Sequence, residues 1–210
     1  NGVKLKELSR NEIKDLEPNL AEVYYNGHLF LGSRHTNNPQ ALSKKIFDAF
    51  VNNGGIFIQS NVSNLDHSQN NINLIINSNE KKFDKVVITS GAWSNIIANY
   101  IGDDFPLDTE RGYHVLFENF NLIKRPIGWS ESGFYLVQID EGLRAAGTVE
   151  IAGLQKPLNK KRVQMIENQA RKLLPKLGKV KKDWIGFRPT LPDSLPIIGP
   201  SQKNKNIFYA

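Results

Sequence analysis

Apolar side chains recur along this chain at helical spacing in some stretches and at alternate positions in others. "LSRNEIKDLEP", residues 8–18, predicts a short helix: Ser9 and Glu12 form a capping box, Leu8 and Ile13 a hydrophobic staple, and Pro18 ends it. "VYYNGHLFLGS" follows as a hairpin or two short strands around Asn26-Gly27. "NNPQALSKKIFDAFVNNGG" predicts a second helix, capped by Asn38 with Pro39 in the first helical position. Leu42, Ile46, Ala49 and Phe50 would make its buried face, and Gly54 or Gly55 would end it. "IFIQSNVSNLDHSQNNINLIIN" predicts strand, turn, strand. "VVITSGAWSN" predicts a strand buried on both faces, a glycine turn and a helix.

From Leu107 to about Ile151 the period becomes two. "RGYHVLFE", "RPIGWS", "GFYLVQI" and "LRAAGTVEIAG" alternate with glycine and polar turns, as in an antiparallel meander. Val163, Ile166, Ala170, Leu173 and Leu177 then return to helical spacing. The proline-rich "DWIGFRPTLPDSLPIIGP" and the strand-like "NIFYA" complete the chain. The expected fold class is α/β in the α+β sense: a mixed, largely antiparallel sheet with helices. No repeat or low-complexity linker interrupts it.

The chain has 210 residues, a net charge of +6 and no cysteine. Disulfides, cysteine-held metals and thiol nucleophiles are therefore excluded. Much of the basic excess lies in "KPLNKKRVQMIENQARKLLPKLGKVKK", from Lys156 to Lys182. Its lysines fall between the apolar helical positions, and no aromatic residues interleave with them. That pattern fits a solvated helix face better than a single-strand nucleic-acid surface. The four histidines, at 28, 35, 67 and 114, lack metal-ligand spacing, and no metal is expected. There is no G-x-S-x-G elbow, no Walker loop and no G-x-G-x-x-G. No apolar run reaches the ~20 residues of a membrane helix.

Two places can carry chemistry. A strand that breaks at Gly91 into a helix points free N–H groups above the sheet, and glycine permits close approach of a ligand. A plain turn with Trp93 in the core accounts for the same residues. Arg188 stands before Pro189, which biases it to extended backbone, and after Gly186, which permits an unusual angle. Its guanidinium can grip a carboxylate with two parallel donors. A structural ion pair with Asp183 or Asp193 accounts for it equally.

"GFRPTLPDSLPIIG" resembles the G-x-R-P-x-x-x-D-x-x-P-x-I-G segment of the FAD-dependent amino-acid oxidases and dehydrogenases. That family includes D-amino-acid oxidase, glycine oxidase, sarcosine oxidase and bacterial D-amino-acid dehydrogenase. "VVITSGAWS" resembles its late Rossmann strand, V-V-x-A-x-G-A-W-S. "PLDTERGYHV" and "GLRAAGTVEIAG" resemble the dehydrogenase-like branch, in which R-G-Y-H and G-T-x-E recur in that order. The resemblance runs from about Ser9 to Ala210.

The resemblance implies that Arg188 binds a substrate carboxylate, with Tyr113, His114 and Tyr135 on strands facing the flavin. It implies FAD contacts at Val62, Gly91, Ala92 and Trp93, and at Gly186. No side chain is assigned a certain catalytic role, because in this family the flavin takes a hydride from the amine-bearing carbon and the protein supplies orientation and electrostatics. Members run to roughly twice this length, which fits two ordinary domains. They begin with G-x-G-x-x-G and end with a Gly/His-rich stretch closing over the flavin. This chain matches the portion between, so the expectation is a fragment that binds FAD weakly or not at all and is inactive alone.

The expected division is 1–40 and 102–182 as a substrate domain, with 41–101 and 183–210 as the partial Rossmann-like FAD domain. The expected partners are a small-molecule amino acid or amine, no nucleic acid, and a second copy of the chain across exposed sheet surface. The expected location is the bacterial cytoplasm, or the periphery of the inner membrane. The competing functions are a non-catalytic carboxylate- or nucleic-acid-binding domain and the oxidase part of a tRNA-modifying flavoenzyme.

Overall fold

The computed structural model describes residues 2–67, 71–118 and 121–210. In chain order these form β1 (Leu5–Ser9), α1 (Arg10–Leu16), β2 (Asn26–Phe30), α2 (Pro39–Asn52), β3 (Val62–His67), β4 (Ile72–Ile76), β5 (Asn79–Phe83), β6 (Val86–Ile88) and α3 (Ser94–Ala98). They continue as β7 (Asp108–Phe117), β8 (Ile127–Trp129), β9 (Phe134–Ile139), β10 (Gly142–Ile151), α4 (Lys160–Leu173), β11 (Val180–Thr190), β12 (Gly199–Pro200) and β13 (Ile207–Tyr209). The mixed, largely antiparallel α/β architecture is the one the periodicity implies. The turn expected between β3 and β4, at 68–70, lies outside the described residues.

The chain divides into two compact units. One comprises Asn1–Asn52, Gly112–Val149 and Pro157–Gly186; the other comprises Asn53–Arg111, Glu150–Lys156 and Phe187–Ala210. The divisions therefore fall inside β7, β10 and β11, and α2 belongs to the first unit.

The first unit is organised by a five-stranded sheet in the order β11-β7-β10-β9-β8. β8, β9 and β10 pair antiparallel as a meander. Period-two alternation sends Tyr113, Val115 and Phe117 of β7, Phe134 and Leu136 of β9, and Leu143 and Ala145 of β10 into one core. α4 closes that core with Val163, Ile166, Ala170 and Leu173. Asn159 caps α4 by accepting from the Lys161 N–H at 3.1 Å. At the other end Arg171 donates to the carbonyls of Leu177 and Gly178, both at 2.9 Å. Pro189 fits in β11 because β11 is an edge strand, where a missing N–H breaks no ladder.

Near the N-terminus, Ser9 and Glu12 make the expected capping box, with Ser9 N–H donating to Glu12 at 2.9 Å. These bonds, with the Lys6 ammonium, hold the Glu12 carboxyl down at about 2. The hairpin or two short strands expected around Asn26-Gly27 are replaced by a single strand with another pairing. β2 runs antiparallel to β1 with α1 between them, and Asn26 pairs with Ser9. Gly27 leaves room for Ile13, whose Cδ1 would lie 3.0 Å from an added Cβ.

α2 has its expected cap, since Asn38 accepts from the Ala41 N–H at 2.9 Å. It lacks its expected buried face: none of its residues is buried, and Ile46 is 64% exposed. The helical period is present, but among the described residues no layer covers the apolar stripe.

In the second unit β6 pairs parallel with β13, and β12 pairs antiparallel with β13. A separate three-stranded antiparallel sheet holds β3, β4 and β5. Leu65, Ile72, Ile88, Ala98, Ile101, Ile207 and Tyr209 form the core of the second unit. "VVIT" is buried on one face only: Ile88 is buried and Val87, on the opposite face, is exposed. "IFI" at 56–58 lies outside any strand with all three side chains exposed. No helix among the described residues is long and apolar enough to cross a membrane.

Candidate functional site

The second unit contains a cavity of about 430 Å³ at the ends of β6, β11 and β13. Arg188 and Gly91 both line it, so residues nearly a hundred positions apart share one wall. Ile88, Phe105, Leu107, Leu195 and Ile197 supply apolar surface. Among the described lining residues, Arg188 and Glu110 carry the only charged side chains.

Arg188 donates from Nη1 to Glu110 Oε2 at 3.1 Å, with its own side chain 71% exposed and that of Glu110 30%. Neither aspartate considered from the sequence is its partner. Asp183 takes the Lys160 ammonium at 2.6 Å, and Asp193 accepts from the Leu195 N–H at 3.0 Å. Among the described residues Arg188 donates only through Nη1, which leaves the Nε–Nη2 edge of the fork open. That edge presents two parallel donors, the geometry a carboxylate accepts.

Gly91 opens a 3-10 turn, Gly91–Trp93, directly after β6. Its φ of 57° lies in the left-handed region, and no atom stands within 4 Å of an added Cβ. Backbone conformation, not crowding, therefore selects glycine, and open space stands beside it for a close approach. Ala92 is buried. Trp93 packs edge-on against Phe187 at 5.4 Å instead of entering the core. Val62 begins β3, in the separate sheet, and is not among the cavity's lining.

The other expected residues lie in the first unit and are not brought together as expected. Tyr113 and His114 cannot both face one ligand, because neighbours on a strand point to opposite faces. Tyr113 is 2% exposed within the sheet–helix core, so it packs. His114 lies on the other face and stacks on Trp184, with centroids 4.8 Å apart and planes 17° from parallel. Burial, then Arg144 and Lys182, hold the His114 imidazole down at about 4, so it is neutral at neutral pH. Tyr135 is 62% exposed on β9, against Gly128, where an added Cβ would lie 2.7 Å from its ring.

Gly186 is not required for an unusual angle. Its φ is not positive, but an added Cβ would sit 2.1 Å from the Trp184 ring, which lies across it. Space selects glycine here.

Three participants were not expected from the sequence. Glu110 had a signal in the alternation that puts Tyr113, Val115 and Phe117 together, whereas Trp184, on β11, had none. The same parity assigns Glu110 and His114 to the other face. Tyr209 had no such signal. It lines the cavity, but its hydroxyl donates to buried Asp103 at 2.7 Å, and Ser201 donates to the same carboxylate oxygen. Burial and Asp103 push the Tyr209 hydroxyl further up, so it is a neutral wall and not a proton carrier. Arg111, fully buried, is equally structural: it donates to the Lys156 carbonyl at 2.7 Å, faces Glu150 at 3.7 Å and lies over the Phe187 ring. Among the described residues no group of three or more histidines and carboxylates could hold a metal.

The cavity thus offers a two-donor cation, one carboxylate, the hydroxyls of Ser94, Thr190 and Ser194, an open glycine turn and apolar walls. Comparison with known proteins identifies the family. The chain is 33% identical over its whole length to a D-amino-acid oxidase of Bradyrhizobium diazoefficiens, covering 51% of that protein. It is 26% identical over 99% of its length to a D-amino acid dehydrogenase of Vibrio vulnificus, covering 52% of it. The chain spans about half the length of these curated relatives. A crystal structure of glycine oxidase from Geobacillus kaustophilus superposes with a TM-score of 0.88 at 20% identity, over the whole chain and 57% of that structure. The family model described as FAD dependent oxidoreductase matches residues 1–210, and the chain belongs to that DAO family of FAD-dependent oxidoreductases.

Proposed function

We propose that the whole protein oxidises an amino acid or secondary amine with FAD, and that Arg188 holds the substrate carboxylate. The observation that carries this reading is the free Nε–Nη2 edge of Arg188 on the same cavity as the open turn at Gly91. The relatives named as D-amino-acid oxidase and D-amino acid dehydrogenase support the substrate class.

The residues present fit part of the cofactor's demands. Gly91 and the Gly91–Trp93 turn would lie against it, because a glycine with nothing above it at the end of a parallel strand admits a phosphate or ribityl chain. When bound, FAD supplies the acceptor for a hydride. The chain's own residues do the remaining work. Arg188 fixes the carboxylate by two hydrogen bonds, and the stiff Pro189 backbone limits the freedom lost on binding. Leu107, Phe105 and Leu195 exclude water from the substrate's apolar part. In this reading the second unit is the FAD-domain portion and the first is the substrate domain, with His114 and Tyr135 on its open sheet face.

Arg188→Lys in the full-length enzyme tests the clamp. An ammonium cannot present a parallel fork, so substrate binding should weaken by about 1.5–3 kcal/mol. Flavin reduction measured against substrate concentration reads this directly. Unchanged apparent affinity would leave Arg188 as the structural partner of Glu110.

A further inference from the structure

We propose that Glu110 is the specificity-determining residue of this site and restricts it to substrates with a single carboxylate and an apolar side chain. The inference rests on the reading of Arg188 as the carboxylate clamp. Glu110 holds Arg188 at one nitrogen, Nη1, and so turns the opposite edge of the fork toward an incoming group. The charge count follows from the lining. Arg188 contributes one positive charge and Glu110 one negative, and the described lining has no other charged side chain.

Once a substrate carboxylate occupies the free edge, the site has no cation left and keeps the negative charge of Glu110. A second carboxylate in the same cavity meets that charge unpaired, which is discrimination by repulsion. Ser94, Thr190 and Ser194 also line the cavity and can donate hydroxyl hydrogen bonds, but they carry no positive charge to neutralise it, and Ile88, Phe105, Leu107, Leu195 and Ile197 offer no donor from their side chains. They do offer apolar surface, which rewards an aliphatic or aromatic side chain. The salt bridge is therefore both a positioning contact and a filter.

The test uses the full-length flavoenzyme and its Glu110→Gln and Glu110→Ala variants. Specificity is measured as kcat/KM for an amino acid with an aliphatic side chain against one with a carboxylate side chain. Binding of a simple monocarboxylate and of a dicarboxylate is measured by calorimetry without turnover. In both variants the preference should tilt toward the acidic side chain by about fivefold or more, the size of one lost charge–charge repulsion in a partly exposed site. Dicarboxylate affinity should rise in absolute terms, a gain that a damaged fold cannot produce. Glu110→Ala decides the matter if the glutamine variant folds poorly.

An unchanged ratio in both variants overturns the role of Glu110. The Arg188→Lys enzyme separates this from failure of the underlying reading. If that variant binds both carboxylates as the wild type does, the clamp itself is wrong and the filter falls with it. If it weakens both while the Glu110 variants keep the wild-type ratio, the clamp stands and only the filter is overturned.

Discussion

The two compact units differ in how large a buried apolar core they build. The first buries seventeen apolar side chains, among the described residues, in one cluster built around its sheet and α4; the second has a buried cluster of seven. Both display apolar side chains on the surface: Leu42, Ile46 and Phe50 of α2 in the first, and Ile56, Phe57, Ile58, Val87, Ile96, Leu195 and Ile198 in the second. The cavity of the second unit, however, contains Arg188, Glu110 and Gly91. Stability is thus concentrated in the unit with the closed sheet–helix layer, and the candidate chemistry in the unit with the smaller core. Sites need concavity and unpaired donors, and a fully interdigitated layer offers neither.

The largest expected effect is a core truncation in the first unit. Ile166→Ala removes a side chain that is 2% exposed between α4 and the sheet. It should cost about 2–5 kcal/mol, read from denaturant midpoints. Ile56→Ala, on the second unit's surface, should change stability by no more than about 0.5 kcal/mol. Equal losses at the two positions would break the contrast.

Two glycines sharpen it. Gly186→Ala, in the first unit, drives a methyl into the Trp184 ring and forces it off His114. The expected cost is about 1–3 kcal/mol, with a shift in tryptophan fluorescence as the stack opens. Gly91→Ala, in the second unit, meets no atom and should cost about 1–2 kcal/mol through its left-handed backbone alone. Gly91→Asn should recover part of that loss, because asparagine tolerates the left-handed region. Recovery by asparagine at position 186 instead would reverse the two assignments.

Elements governed by local chemistry were legible in the sequence. The Ser9–Glu12 capping box, the Asn38 cap and the apolar stripe of α4 follow from side chains a few residues apart. So did the period-two meander, because β8, β9 and β10 pair with chain neighbours. What failed needed partners distant in sequence. The exposed stripe of α2 and the open face of β6 carry apolar patterns that no described layer covers. The partner of Arg188 lies 78 residues away on β7, so nearby aspartates were the natural but mistaken choice. Gly186 showed that a glycine is needed there but not why, since the reason is the Trp184 ring across it.

The Ile56 control aside, the smallest effect is the dependence of stability on pH through His114. Unfolded, its imidazole takes a proton near its ordinary value of about 6.5. Folded, it resists until about 4, because the sheet face and Trp184 bury it and Arg144 and Lys182 stand near. Above pH ~6.5 both states are neutral and His114 contributes no slope. Between about 6.5 and 4 the unfolded state binds more protons than the folded one, so stability is lost as pH falls through that window. Water reaches part of the ring, and screening should limit the effect to about 1 kcal/mol. His114→Gln removes the titration and leaves the Arg144 and Lys182 charges in place. Loss of the stack lowers its stability by the same amount at every pH, so the informative quantity is the difference in slope. Denaturant midpoints at pH 4.5, 5.5 and 7.5 should therefore fall more steeply with acid in the wild type than in the variant. Parallel curves would mean that His114 titrates normally, and that its stack on Trp184 does not shield it from water.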